Sequence, residues 1–374
     1  MQPPDQRPQG RPRNPAIKEL NKSLVLPKAV LGQLDWTTGI LRINTTHEKW
    51  KAWKAAPAAH KSLFSVLWHE GQHAIQIAAC TKLYKTSLYL YGIVRHIDEL
   101  YPDAADLPDD LANSSLDPQL LKALQATVWD LSYKKDDLTI LEIVEALTHL
   151  TEQRLSKNFD TDSYLAYIPK ALVGPLYTKA YVRFHELSGQ HPKSLAFFTP
   201  VCHIALCSDT PQTSFCALAS ALKTGRLTTK SELSDFINIC REDDPDFLSW
   251  PWDWRRGHGD ALVHPLFERL QSTLLTAAKT GAHFIKYIWQ LHTEFDLWMS
   301  SIEQPTILNP VNDPAAPGYR EWQALVWHWE GTPDQEEKGR RLRKLVKAAT
   351  IARRYMAHFG NPPPKVTRVF VARS

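Results

Sequence analysis

The sequence predicts a mainly α-helical protein with a small β element. Apolar residues recur at helical spacing along most of the chain, and the loops between these stretches carry most of the prolines. Only two short segments, 39–44 and 366–371, are rich in β-forming residues. The segment 63–79 contains no proline and is apolar on most faces, which is typical of a helix buried on most sides.

The predicted elements follow one another in a simple order. A strand at 39–44, after turn-like residues at 35–38, is followed by a helix near 46–54 and then by the helix at 63–79. Further helices are predicted at 119–133, 139–152, 175–187, 213–222, 230–240, 260–279, 281–299, 319–329 and 335–358. The tryptophan-rich segment 243–259 is predicted to be irregular.

Composition restricts the class of protein. The 374 residues are 43% hydrophobic and 22% charged, which leaves room for one large or two modest domains. A net charge of +4 is small for this length and does not call for a nucleic-acid partner. The longest apolar run, 195–207, is short and contains Pro200, so we expect no membrane association.

The N-terminal residues and the cysteines predict the compartment. Residues 1–15 are rich in Pro, Gln and Arg and have no apolar signal-peptide core, so we expect a disordered tail and no export. Five cysteines are an odd number, which favours reduced thiols in a cytoplasmic protein. The sequence does not predict the oligomeric state.

The pattern His69-Glu70-Gly71-Gln72-His73 lies in the predicted helix 63–79. Two histidines four residues apart project from the same helix face, so both imidazoles can reach one metal ion. Glu70 lies close enough to hold a metal-bound water and to act as its general base. The motif predicts a Zn²⁺ site in which His69 and His73 are ligands and Glu70 is catalytic.

A catalytic zinc ion needs a third protein ligand and keeps one position open for water. The best candidate is Glu145, in the predicted helix 139–152, where Glu142, His149 and Glu152 share its face. Thr139 and Glu142 fit a capping box, so Glu142 is expected to be structural. His149 is predicted to orient a zinc-bound histidine or carboxylate through a hydrogen bond. Glu152 is expected to be solvated or paired with Arg154 or a nearby lysine.

These residues resemble the zincins, a group of HExxH zinc peptidases. The strand at 39–44 precedes the motif helix as it does in that group, and the run from Glu145 to Glu152 resembles the EGLAxYxE run of the gluzincins. The resemblance covers residues 39–155. It implies that Glu145 binds zinc, that the strand at 39–44 is the edge strand that pairs with an extended peptide substrate, and that the protein is a metallopeptidase.

The domain organisation that follows has three parts. Residues 1–15 form the tail, 16–190 a zincin-like metal-binding catalytic region and 191–374 a helical region of unknown role. An oxyanion-stabilising residue is also expected, but spacing does not choose between the candidates Tyr164, Tyr167, Tyr177 and Tyr181.

Two other classes of function stay open. Glu70-x-x-His73 also matches the ligand element of dinuclear Fe or Mn carboxylate oxidases. Further ligands of such a site are available at Glu142, Glu145, His149, His96 and Glu99. Alternatively, the chain is a non-catalytic helical interaction protein whose surfaces are the tryptophans of 250–254 and the basic run 338–347. Cys202, His203 and Cys207 form a weaker candidate metal cluster, with a spacing that matches no common zinc pattern.

Overall fold

The computed structural model of the chain describes residues 32–35, 40–45, 61–100, 130–170, 174–248, 264–301, 306–308 and 323–327, and positions 52, 55, 56 and 126. Most of these residues are helical and few are in strands, which confirms the predicted fold class at this level. The described α-helices are α1 (Lys61–Ala79), α2 (Thr81–Leu100), α3 (Ile140–Ser156), α4 (Thr161–Tyr167), α5 (Lys179–Leu187), α6 (Ser194–Ala205), α7 (Pro211–Lys223), α8 (Leu233–Asp243), α9 (His264–Lys279) and α10 (Phe284–Ser301).

Four described strands form one antiparallel sheet: β1 (Gly32–Asp35), β2 (Ile40–Thr45), β3 (Thr306–Leu308) and β4 (Gln323–Trp327). Their order is β1-β2-β4-β3. The strand predicted at 39–44 is therefore confirmed as β2, but β2 pairs with both β1 and β4 and is not an edge strand. The edge strand beside α1 is β1, which the sequence analysis missed.

Strand β4 corrects the helix predicted at 319–329. Five of its residues pair in register with β2, from Leu41 opposite Trp327 to Thr45 opposite Gln323. A short apolar run such as 323–327 fits either a strand or a buried helix, and here pairing with a distant strand determines the outcome. Of the helix predicted at 46–54, the structure describes position 52 alone, which is helical. The helix predicted at 335–358, the strand predicted at 366–371 and the tryptophans of 250–254 lie outside the described residues.

Helix α3 begins where its sequence predicts. Asp136 and Asp137 form a tight turn with φ angles of 53° and 67°, a left-handed conformation that aspartate tolerates better than most residues. The Thr139 hydroxyl then accepts the Glu142 N–H at 3.1 Å, and the Glu142 carboxylate accepts the Thr139 N–H at 2.8 Å. The predicted capping box is thus confirmed, and it fixes the start of the helix that carries Glu145.

Helices α1 and α3 pack against each other in the interior of the protein. Their buried apolar side chains, among them Ile77, Ala78, Val144 and Leu147, belong to one hydrophobic core with the helices that follow. The C-terminal helices α9 and α10 also contact α1, and the His292 ring stacks on Trp68 with 5.9 Å between ring centroids. Helix α1 is therefore enclosed by elements from both halves of the chain.

None of the described helices combines the length and apolarity that crossing a bilayer requires. The apolar run at 195–207 folds as α6, a 12-residue helix with Pro200 inside it. All five cysteines are free thiols.

Candidate metal centre

Helix α1 presents His69 and His73 on one buried face. The two residues are 2% and 0% exposed, and their ring centroids lie 5.0 Å apart with the ring planes at 80°. Histidines four residues apart on a helix are neighbours on its surface, which explains this closeness. The HExxH spacing thus brings the two imidazoles together as predicted.

Glu145 reaches the same point from α3. Its Oε2 lies 3.7 Å from Nε2 of His69 and 3.6 Å from Nε2 of His73. Among the residues that the structure describes, these three form the one group of His, Cys, Asp or Glu side chains whose ligand atoms all lie within 4.8 Å of one another. Ligand atoms about 2.0–2.2 Å from a tetrahedral zinc ion lie roughly 3.3–3.6 Å apart, so the spacing fits such an ion.

The far nitrogen of each imidazole has a hydrogen-bond partner. Nδ1 of His69 lies 3.0 Å from Oε2 of Glu152, whose other carboxylate oxygen accepts the Ser65 hydroxyl. Nδ1 of His73 lies 3.0 Å from Oε1 of Gln76. When Nδ1–H donates to such an acceptor, the lone pair of Nε2 is left to bind a metal.

Gln76 is itself held in place. Its amide donates to the Thr148 hydroxyl at 2.8 Å and to the Val144 carbonyl at 3.0 Å. Because both acceptors are on α3, the side chain that orients His73 also links α1 to the helix that carries Glu145. The geometry of the three candidate ligands therefore depends on the docking of these two helices.

The charges around His69 favour a cation. Burial lowers the pKa of His69, but the nearby carboxylates of Glu145 and Glu152 outweigh burial and raise it to about 10. Burial has the opposite effect on Glu145 and raises its pKa. The two histidines lower that pKa by more, so it ends below its usual range. The arrangement stabilises a positive charge between these groups.

Unsatisfied polar atoms support the same conclusion. Nε2 of His69, Oε2 of Glu145 and Oε1 of Glu70 are all buried without a hydrogen-bond partner. Such atoms are rare in folded proteins, because leaving a buried polar group unpaired costs about 1–3 kcal/mol. Two imidazoles and a carboxylate are ordinary zinc ligands, so the residues present fit a bound zinc ion.

Glu70 is fully buried beside this group. Its Oε2 accepts the backbone N–H of Leu34 in β1 at 2.7 Å, which leaves Oε1 as its remaining acceptor. Burial raises the pKa of Glu70 to about 8, and the charge of His69 opposes the rise. Strand β1 thus fixes the carboxylate that the sequence predicts to be the general base.

The other side chains on the face of α3 require corrections. Glu152, expected to be solvated or paired with Arg154, instead takes the orienting position beside His69. His149, expected in that position, makes no hydrogen bond to a ligand residue among the interactions of the described residues. Sequence spacing could not separate the two, because both lie on the Glu145 face and only the crossing of α1 and α3 decides which one meets His69.

The structure separates the four tyrosine candidates. Tyr164 and Tyr181 are buried in the aromatic core, with 4.8 Å between their ring centroids. Tyr177, in a short 3-10 helix at Pro175–Tyr177, lies 6.4 Å from His69 between ring centroids. Tyr167 stacks on His149 at 6.4 Å. Of the four tyrosines, Tyr177 is therefore near His69 and Tyr167 is near His149.

The alternative metal clusters do not assemble among the described residues. Glu142 is engaged by the helix cap and by Lys179, 3.3 Å away. His203 is approached by the thiol of Cys80, with Sγ 3.7 Å from Nδ1. Cys202, His203 and Cys207 do not meet the 4.8 Å spacing that the first group satisfies.

No protein-family model, no curated protein and no solved structure matches this chain. The likeness to gluzincins stays a prediction from the motif residues. A function is therefore argued from the geometry of those residues.

Proposed function

We propose that this protein is a zinc-dependent hydrolase, a gluzincin-type metallopeptidase that cleaves a peptide or amide bond. His69, His73 and Glu145 would hold the zinc ion, and Glu70 would act as the general base. The observation that carries the proposal is the convergence of three buried ligand atoms, two of which, Nε2 of His69 and Oε2 of Glu145, have no hydrogen-bond partner.

The chemistry of the ligand set favours zinc with an open coordination position. Two histidines and one glutamate form a set that catalytic zinc sites use, and a structural zinc site would need a fourth protein ligand. Among the described residues, no fourth side chain joins the group. A dinuclear oxidase would need further carboxylates at the centre, and Glu142 is held in its helix cap.

A bound zinc ion would lower the pKa of a coordinated water to about 7 and polarise the carbonyl of the scissile bond. Glu70 would take a proton from the attacking water through Oε1, while Oε2 stays fixed by the Leu34 N–H. The same carboxylate passes the proton to the leaving amine.

The substrate would approach along β1. Among the described strands, β1 pairs with β2 alone, so its other edge is not part of the sheet. This edge faces α1, since the Leu34 N–H reaches Glu70. Because the Leu34 N–H is occupied by Glu70, an extended substrate peptide would pair with the remaining backbone groups of this edge, beside the candidate centre.

The test combines zinc content with hydrolysis of fluorescently labelled casein. The wild type should contain about one zinc per chain and release labelled peptides. Glu70→Gln should keep its zinc but hydrolyse at least about 100-fold more slowly, because the amide cannot take the proton. Glu142→Gln is the matched control and should keep both zinc and activity, since Glu142 caps a helix. A Glu70→Gln variant with full activity would contradict the proposed mechanism.

A further inference from the structure

His149 lies one helical turn after Glu145 on the same face of α3. Residues at this spacing have Cβ atoms about 5–6 Å apart, so the side chains of His149 and Glu145 are neighbours on α3. His149 is only 4% exposed. It is not part of the ligand group, because its nitrogens lie outside the 4.8 Å cluster.

Two aromatic rings hold the His149 imidazole. The Tyr167 ring stacks on it at 6.4 Å with an angle of 17° between the planes, and the Tyr177 ring lies 5.8 Å away at 60°. Tyr177 also lies 6.4 Å from His69. The rings of His69 and His149 therefore both contact Tyr177, so His149 forms part of the wall beside the candidate ligands.

Nε2 of His149 is buried and has no hydrogen-bond partner. The carboxylates of Glu145 and Glu152 are close enough to act on the charge of His149. Both of them form ion pairs with His69. Burial lowers the pKa of His149, so the ring is neutral at pH 7 and carries a single N–H. A buried polar group without a partner in the protein is left to bond to a water, an ion or a ligand.

We propose that His149 is a further catalytic residue, whose Nε2–H donates a hydrogen bond to the carbonyl oxygen of a substrate held at the metal. The inference rests on the proposed function, because it requires a metal at His69, His73 and Glu145. The bond strengthens as negative charge develops on that oxygen during attack by water. His149 thus takes the oxyanion-stabilising role for which the sequence suggested four tyrosines.

The experiment measures the binding of acetohydroxamate to the protein loaded with Co²⁺. Cobalt gives visible absorption bands that change when the hydroxamate oxygens bind to it, so affinity is measured without a substrate. His149→Asn should weaken hydroxamate binding about tenfold, and His149→Gln should recover most of the affinity, because the Gln amide nitrogen reaches the position of Nε2 and the Asn amide does not. Cobalt affinity should stay within about twofold in both variants.

His203→Gln is the control, since it makes the same substitution at a buried histidine outside the candidate centre. It should bind both cobalt and hydroxamate like the wild type. Equal hydroxamate affinity of His149→Asn and the wild type would overturn the role of His149 while the metal centre stands. Loss of cobalt in His149→Gln would also overturn it and assign His149 to metal binding. A wild type that binds no cobalt would remove the proposed function itself.

Discussion

His69 and His203 are both 2% exposed, yet their surroundings have opposite effects on their charge. Burial lowers the pKa of each. Around His69, the carboxylates of Glu145 and Glu152 outweigh burial and raise the pKa to about 10. Around His203, burial and the charge of His292 lower it to about 3. At equal depth, the neighbouring carboxylates therefore account for the opposite shifts in the pKa of these two histidines.

The His203 region is chemically different in its other members too. The Cys80 thiol lies beside the ring, and the Cys207 thiol donates to the His203 carbonyl at 3.3 Å. Burial raises the pKa of Cys80 well above its usual range, so this group stays a neutral thiol. The hydrogen bond with Cys80 lowers the pKa of Cys207, and none of the described groups that shift the pKa of His203 is a carboxylate, so this region differs from that of His69 in having no anionic oxygen ligand beside its histidine. The comparison with the His69 region leads to four predictions.

The largest effect is expected for a lost ligand. His73→Ala should reduce zinc affinity by at least about 100-fold, because it removes one of three protein ligands. His203→Ala, an equally buried histidine, should keep wild-type affinity. Equilibrium dialysis against zinc, read by elemental analysis, compares the two. If His203→Ala lost zinc and His73→Ala kept it, the metal would bind in the His203 region, and the proposed centre would be wrong.

The second prediction separates two glutamates on one helix. Glu145→Gln should lose most of its zinc, because an amide oxygen is a poor substitute for a buried carboxylate ligand. Glu142→Gln should keep its zinc and lower the free energy of unfolding by less than about 1 kcal/mol, because Gln still accepts the Thr139 N–H and only the charge beside Lys179 and the helix N-terminus is lost. Zinc analysis and urea unfolding measure both quantities. If only Glu142→Gln lost zinc, the third ligand would be one turn earlier.

A smaller change is expected at Glu152, which touches His69 but not the ligand atoms. Glu152→Gln should weaken zinc binding about 10–100-fold, since the charge behind His69 is lost while a hydrogen-bond acceptor stays. Glu242→Gln, at an exposed ion pair with Arg226, is the matched control and should have no effect. Equal affinities in the two variants would mean that Glu152 does not support the centre.

The smallest effect concerns pH. In the unfolded chain His203 takes up a proton near pH 6.5, but in the folded protein only near pH 3, so stability falls as pH drops from about 6.5 towards 3. His203→Gln should reduce this slope by up to about 1.4 kcal/mol per pH unit. Urea unfolding of the zinc-free protein at pH 7, 6 and 5 gives the slopes. Identical slopes in wild type and variant would show that His203 does not titrate in this way.

The sequence predicted the parts of the centre that depend on one helix. Helical spacing placed His69 beside His73, and the capping box at Thr139 and Glu142 set the start of α3. The parts that depend on contacts between elements were not predictable. Whether His149 or Glu152 meets His69 depends on how α1 and α3 cross, and the partner of Glu70 is a backbone N–H of a strand with no chemical signature.

In the fold, too, features set by one segment were predictable and features set by contacts between segments were not. Apolar periodicity predicted helices such as α7, α8 and α10 to within a few residues, because the apolar face that each helix buries is visible in its own sequence. Strand β4 was wrongly predicted as a helix, since only its pairing with β2 distinguishes the two. Tyr177 lies near His69 through the turn at Pro175, and its spacing gave no reason to select it.

The hydrogen bond from Leu34 to Glu70 has a consequence for the order of folding. All three candidate metal ligands are synthesised by residue 145, but the sheet that holds Leu34 is completed by β4 at Gln323–Trp327. A hairpin of β1 and β2 alone is marginally stable, and pairings this distant in sequence form late. A growing chain can therefore gather its candidate metal ligands well before Glu70 is fixed, which would keep the proposed peptidase inactive until β4 has joined the sheet.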